Sequence, residues 1–418
     1  MRPRVRTRVD GQGLEGYDQA VMAEIMTKSA VQQAQPVAGQ PALEKLATAG
    51  PPQAEAGGVL SIDLSAIEAN WRALARRAMP AECAAVIKAD GYGCGIEQVA
   101  RTLAKAGCKT FFVADLEEAR RVRAVADLPV IYVLSGVMPN TPPTFADLNV
   151  RPVIGSLVEL AEWDAFVASS QWRGGAALHV DTGMNRLGIS ASDAAALAPR
   201  LRSENHGIML LMSHFACSDA PAHPLNDKQI KLFREVRVLY RGIPSSLANS
   251  SGVFLGAAAH CDVVRPGAAM FGVNPTPGRN NPMRPVVELR ARILQVRKIQ
   301  RGETVGYNAV WTARRNSVIA VAAVGYADGF MRAASGTDEF PGSNAIVGGQ
   351  PCPLAGRISM DLVTIDVTDL PDPPKRGDMA ILIGDDITLD DFATAAGTIG
   401  YEVLTRLGHR FHRIYRSG

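Results

Sequence analysis

No stretch of this 418-residue chain is apolar over the ~20 residues needed to cross a bilayer. The longest apolar runs, such as VIAVAAVG from Val318, have the length of strands, so a membrane-spanning protein is not expected. An excess of one charge is also missing. Against 44 Lys and Arg stand 41 Asp and Glu, and no basic stretch is interleaved with aromatics, which argues against a nucleic-acid partner. Cysteine is sparse. Cys83, Cys94, Cys108, Cys217, Cys261 and Cys352 form no CxxC pair and no metal-ligand spacing, so they read as free thiols of a cytoplasmic protein that binds no metal.

What is present is apolar content of 47%, enough over this length for one large core and one smaller core. Residues 1–57 stand apart: rich in Ala, Gln, Pro and Gly and without an apolar block of signal-peptide length, they read as a disordered extension. Arg2, Arg4, Arg6 and Arg8 suggest organelle targeting, but Asp10, Glu15, Asp18 and Glu24 follow closely, and such segments avoid acids. Met22 and Met26 are alternative starts.

Over residues 58–274, short β-rich runs (AAVIKA, TFFVAD, PVIYVLSG, VRPVIG, ALHVDTG, IMLLMSH, SSLANSS, CDVVRPG) alternate with helical segments. That pattern predicts an α/β architecture, a parallel (β/α)8 barrel. Lys88, Asp115, Ser135, Asp181, His214, Asn249, Ser250 and Arg265 fall at or near the C-terminal ends of those runs, which is the active-site face of such a barrel. Any one of them is equally an ordinary loop residue; the argument is their convergence. After the proline-rich TPGRNNPMRP, alternating strands and one late helix around Leu389 to Gly397 predict a β-rich C-terminal domain over residues 275–418.

VIKADGYGCG (residues 86–95) sets Lys88 at the end of an apolar strand and follows it with Gly91, Gly93 and Gly95. A lysine in a largely dry barrel mouth loses charge solvation, which lowers its pKa and frees the amine for Schiff-base chemistry. Taken alone, such a lysine is more often a solvated strand-end charge. Eight further motifs follow in order: HVDTGMNRLG (179–188), MSHFACSD (212–219), ANSSG (248–252), VRPG (264–267), GETVGYNA (302–309), GYADG (325–329), GRISMD (356–361) and GYEVL (400–404). Each is weak alone, but together, from about Gly58 to Tyr415, they make the chain resemble the alanine racemases, isomerases of fold type III that depend on pyridoxal 5'-phosphate.

The resemblance implies that Lys88 carries the cofactor and is one of two bases, Tyr307 being the other. Two are needed because a proton taken from one face of a planar carbanion must return on the opposite face. A free tyrosine titrates near 10, so Tyr307 needs neighbours that favour its phenolate. Arg265 would meet the pyridine nitrogen with His214 packed behind it; a guanidinium donates and cannot accept, which weakens the electron sink and favours clean reprotonation over transamination. The phosphate would be met by the hydroxyls of Tyr92, Ser250 and Tyr401 and the amides of Gly267 and Ala268. Arg186 would contact the cofactor's phenolic oxygen and the substrate carboxylate, which the Met360 amide also meets.

Relatives of this kind complete each site from a partner subunit, so a homodimer is implied, with alanine as substrate and D-alanine either supplied for peptidoglycan or broken down. Two other functions compete: a racemase of serine or other small amino acids, and a non-enzymatic barrel that only binds the cofactor. The second lacks a second domain. A decarboxylase of the same fold type would want a carboxylate where this chain has Arg265. The chain departs from the family pattern at His179, where many relatives carry a lysine that can be carbamylated, and also at Cys94 and Ser359. Support for Arg186 must then come from His179 as a neutral acceptor or from another anion.

Overall fold

A computed structural model of the chain describes residues 47–201 and 207–417. Of the expected N-terminal disorder, residues 1–46 lie outside the described part, and residues 47–57 depart from it. Ala47–Ala49 pairs antiparallel with the strand His412–Arg416, and the Gly57 carbonyl accepts from the Arg292 amide at 2.8 Å. The open edge of that strand recruits a segment whose own side chains carry no strand signal.

Seven of the barrel segments are hydrogen-bonded in sequence, from Ala85–Val86 through Thr110–Val113, Val130–Val133, Arg151–Ile154, Ala176–His179 and Ile208–Met212 to Ser245–Ser246, each pair parallel. The eighth, Val263–Val264, pairs parallel with Glu82–Cys83. On its other side the Asp262 amide donates to Ser245 O and the Arg265 amide to Ala248 O, both at 2.9 Å, so the ring closes. The strands are short and buried on both faces: Phe111, Phe112, Ile131, Val133, Leu178 and Leu211 are all without exposed surface. Burial of both faces explains why these runs read as continuous apolar blocks and not as alternation.

The second layer is a nine-stranded sheet of mixed direction. Its spine is the 13-residue strand Val287–Ile299, whose first half lies between Gly58–Asp63 and Met379–Ile383 and whose second half pairs with Ser317–Ala322. Gly58–Asp63 precedes the barrel in sequence yet belongs to this sheet, wedged between Val287–Ile299 and His412–Arg416. Its inward residues Leu60 and Ile62 are fully buried against Leu289 and Ala291.

Where the sequence predicts one late helix, the structure has two, Leu389–Ala395 and Gly400–Arg406. The second is seven residues long, opens on glycine and has no side-chain cap, so its periodicity is too brief to stand out. The first is capped by Thr388, which accepts from the Asp391 amide at 3.1 Å. It is anchored by Phe392, stacked at 4.6 Å on Phe330, with both rings fully buried. Phe392→Ala is expected to lower unfolding free energy by about 3–5 kcal/mol, read from urea denaturation of full-length protein. A shift within the error of that measurement would mean the stacked pair does not hold the late helices in place.

Candidate active site

A cavity of about 710 Å³ opens at the C-terminal ends of the barrel strands. Lys88, Tyr92, Arg186, His214, Ser250, Arg265, Gly267 and Tyr401 all line it, as do Ser135, His179 and Asn249. Asp115 and Asp181 serve locally instead. The first caps a helix by accepting from the Glu118 amide at 2.9 Å. The second folds a turn by accepting from the amides of Gly183 and Met184, both at 2.9 Å.

Lys88 follows its strand directly into an unusual turn. Ala89, Asp90, Gly91 and Tyr92 all have positive φ, 53°, 55°, 63° and 53°, so the chain winds left-handed for one turn. For a residue with a Cβ this costs about 1–2 kcal/mol, and three of the four have one. The surroundings hold it. The Gly91 amide donates to Ile87 O at 3.0 Å and the Gly93 amide to Ala89 O at 2.8 Å. The Asp90 amide donates to the Glu118 carboxylate at 3.0 Å, and the Asp90 carboxylate accepts from Arg121 at 2.6 Å and from the Ile96 amide at 3.1 Å. The outcome is that Lys88 and Tyr92, four residues apart, both face the cavity. Burial lowers the Lys88 ammonium below its ordinary pKa, with the Arg186 charge adding and Glu118 opposing.

Arg265 is 3% exposed. Its guanidinium donates to Ser213 O at 2.6 Å, to the Ser246 hydroxyl and, at 3.5 Å, towards His214 Nδ1, and it lies 5.7 Å from the Phe112 ring centre. Desolvation brings its pKa down to about 10, so it remains a cation at neutral pH. The partners named here are all neutral acceptors. Desolvation, and next the Arg265 charge, push His214 well below its usual range, so its ring is neutral and Nδ1 is free to accept.

Three hydroxyls, of Tyr92, Ser250 and Tyr401, belong to the same lining. Ser250 Oγ accepts from the Gly267 amide at 2.9 Å and the Ala269 amide at 3.2 Å. A Cβ at position 267 would lie 2.3 Å from Tyr92 Oη, so glycine is what lets that hydroxyl approach the turn. Ala268, 1% exposed, follows directly. Tyr92 stacks on Phe271 at 4.9 Å, and its ring centre is 6.3 Å from that of Tyr401. Burial raises both phenols, so both are O–H donors at neutral pH. Three hydroxyls and a glycine turn opening into a short helix suit a phosphate; a half-buried amine and a desolvated guanidinium suit the aldehyde and ring nitrogen of a pyridoxal.

Tyr307 and Met360 do not line this cavity; they are 67% and 54% exposed. Met360 sits on a loop pinned by backbone hydrogen bonds from Tyr326 to Ser359 O at 3.0 Å and from Ala327 to Met360 O at 2.9 Å. Arg410 braces it further, pairing with Asp361 at 2.8 Å and Asp328 at 2.9 Å. Ile399, Glu402 and Thr405 also line the cavity, brought by the helix the sequence reading missed. GYEVL signals Tyr401, and nothing in so short a motif signals the turn of helix around it.

His179 lines the cavity too, and burial together with Arg265 lowers its pKa to about 4. The folded chain thus keeps His179 and His214 neutral where the unfolded chain takes up protons. Stability held above pH 6.5 is therefore expected to be lost as pH falls from 6.5 towards 4, because the unfolded state binds more protons across that window. Urea midpoints followed across the window, in the wild type and in His179→Asn, check this: the variant is expected to lose less, and an equal loss would remove His179 from the account.

Two family models match consecutive parts of the chain: alanine racemase, N-terminal domain, over residues 62–275, and alanine racemase, C-terminal domain, over residues 286–415. An alanine racemase of Methylobacterium nodulans is 53% identical over 363 residues, covering 87% of this chain and 97% of that protein. One from Rhizobium meliloti is 45% identical over 369 residues, covering 86% and 97%. Among solved structures, the alanine racemase of Bartonella henselae, described as having covalently bound pyridoxal phosphate, superposes with a TM-score of 0.81 at 36% identity, over 86% of this chain and all of that one. Matched along nearly the whole of its described length, in sequence and in fold, this chain belongs to the alanine racemase family.

Proposed function

We propose that the chain interconverts L- and D-alanine in the cytoplasm, using pyridoxal 5'-phosphate at Lys88, as a homodimer whose cavities are each completed by Tyr307 and Met360 of the partner subunit. The observation that carries the reading is a cavity holding a lysine of lowered pKa, a neutral-bonded guanidinium and a cluster of donors, while the second base of the motif set stands exposed elsewhere on the same chain. The cysteines are all unpaired, and among the described residues no helix is long and apolar enough to cross a membrane.

When bound, the cofactor supplies a ring that withdraws electrons and so acidifies the substrate's Cα–H. The remaining work belongs to the protein. Tyr92, Ser250 and Tyr401 with the amides of Gly267 and Ala268 would hold the phosphate, and Lys88 the aldehyde carbon. Arg186, exposed at the cavity rim, is the cation available to the substrate carboxylate and the phenolic oxygen. Burial lowers the Lys88 ammonium below its ordinary pKa and so favours the free amine, which would take a proton from Cα on one face while the partner's Tyr307 would return one on the other. Arg265 would donate to the ring nitrogen and, as a cation with no carboxylate among its hydrogen-bond partners, would disfavour a proton there. One site run by two bases serves both directions, supply of D-alanine for peptidoglycan and its degradation.

Arg265→Glu is accordingly expected to slow racemisation and raise the yield of pyruvate from transamination, measured on the same sample; an unchanged product ratio would remove this role. The shared site is tested by complementation. Lys88→Ala and Tyr307→Phe homodimers are each expected to be nearly inactive, whereas refolding equal amounts together restores activity, because each mixed dimer has one site with both changes and one with neither. With random pairing about half the dimers are mixed, which sets a ceiling of about a quarter of wild-type activity. No recovery, with mixed dimers verified by mass, would place both residues in one chain's site.

A further inference from the structure

Arg413 is 5% exposed, on the strand His412–Arg416, and is not among the residues lining the cavity. Its guanidinium donates to Gly93 O at 2.6 Å and to Leu407 O and Gly408 O at 3.1 Å each, while its Nε is buried without a partner. Those carbonyls mark two particular ends. Gly93 closes the left-handed turn that begins at Lys88 and ends on Tyr92. Leu407 closes the helix Gly400–Arg406, whose second residue is Tyr401. The two ends meet closely, since a Cβ on Gly93 would lie 2.3 Å from Leu404 O.

We infer that Arg413 is a positioning residue for phosphate binding, clamping the turn that carries Tyr92 to the helix that carries Tyr401 and so setting the separation of the two phenols. A guanidinium suits the task because it reaches three carbonyls in a fixed fork. An apolar side chain of similar length would leave all three without this donor, those of Gly93 and Leu407 in a buried place. The left-handed turn also needs outside support, since it is intrinsically unfavourable at Ala89, Asp90 and Tyr92, and the Arg413–Gly93 bond is the support at its far end. A plain structural role, fixing the chain where it leaves the helix Gly400–Arg406, would need only the bonds to Leu407 and Gly408.

This rests on the reading that the cavity binds pyridoxal 5'-phosphate, and the test separates the two. Full-length wild type, Arg413→Met and Arg413→Lys are stripped of cofactor by dialysis against hydroxylamine and then buffer, and titrated with pyridoxal 5'-phosphate and, separately, with pyridoxal, following visible absorbance. Arg413→Met is expected to weaken binding of the phosphate form about tenfold, as misplacing one or two phosphate hydrogen bonds does. Affinity for pyridoxal should change little, and Arg413→Lys should fall between Met and wild type. In a Tyr401→Phe background the Arg413 effect is expected to shrink, because the two act on one contact. Equal weakening for both compounds, wild-type affinity in both variants, or full additivity with Tyr401→Phe would overturn the assignment and leave Arg413 a core residue. If Arg413→Met does not fold, the Lys variant decides by the same comparison. A wild-type chain that takes up neither compound would overturn the cofactor reading itself, and this inference with it.

Discussion

A left-handed turn made largely of residues other than glycine does not persist by its own preference, and the cavity depends on one. Because residues 89–92 wind against the usual hand, Lys88 and Tyr92 both reach the same space from adjoining positions on one short segment. The opposing strain is met from several sides: the Asp90 carboxylate shared by Arg121 and the Ile96 amide, the Glu118 carboxylate on the Asp90 amide, and Arg413 on Gly93. These contacts come from the barrel's helices on one side and the last strand of the sheet on the other. Lys88 is thus placed by both layers of the fold at once, and neither layer alone would fix it.

The cavity's electrostatics follow from the same economy of partners. Two guanidiniums, an amine and one carboxylate, Glu402, share it with two histidines that burial keeps neutral. Arg265 is held by a carbonyl, a hydroxyl and an imidazole nitrogen, so its positive charge is not cancelled by a carboxylate at the point where it would meet a ring nitrogen. Such a site is suited to dianionic and carboxylate groups, and it leaves the charge balance to be completed by what binds there.

Much of this was legible in the sequence. The alternation of apolar runs with helical segments signals the barrel, and polar residues at strand ends signal the cavity face, because both are set by local periodicity and position. Lys88, His214, Ser250 and Arg265 were found that way. The left-handed winding was not, since only Gly91 of its four residues is the type that favours positive φ. Arg413 was invisible for a different reason: its value lies in carbonyls far away in sequence, and no motif encodes those. The helix Gly400–Arg406 was missed because seven residues hold too few repeats of its period, and the strand character of residues 47–49 because pairing, not side-chain pattern, makes it.

The strand Gly58–Asp63 lies between Val287–Ile299 and His412–Arg416, although it is the segment that leads into the barrel. The two family-model matches, ending at 275 and resuming at 286, invite the view of two exchangeable modules. The sheet refuses that view. A chimera that takes its barrel from one relative and everything after the proline-rich linker from another would ask a foreign strand to match five residues of register on each side, with Leu60 and Ile62 filling a core shaped for different neighbours. Recombination that respects this fold must carry Gly58–Asp63 along with the C-terminal strands, so the natural seam for grafting falls after Asp63, not at the chain's start.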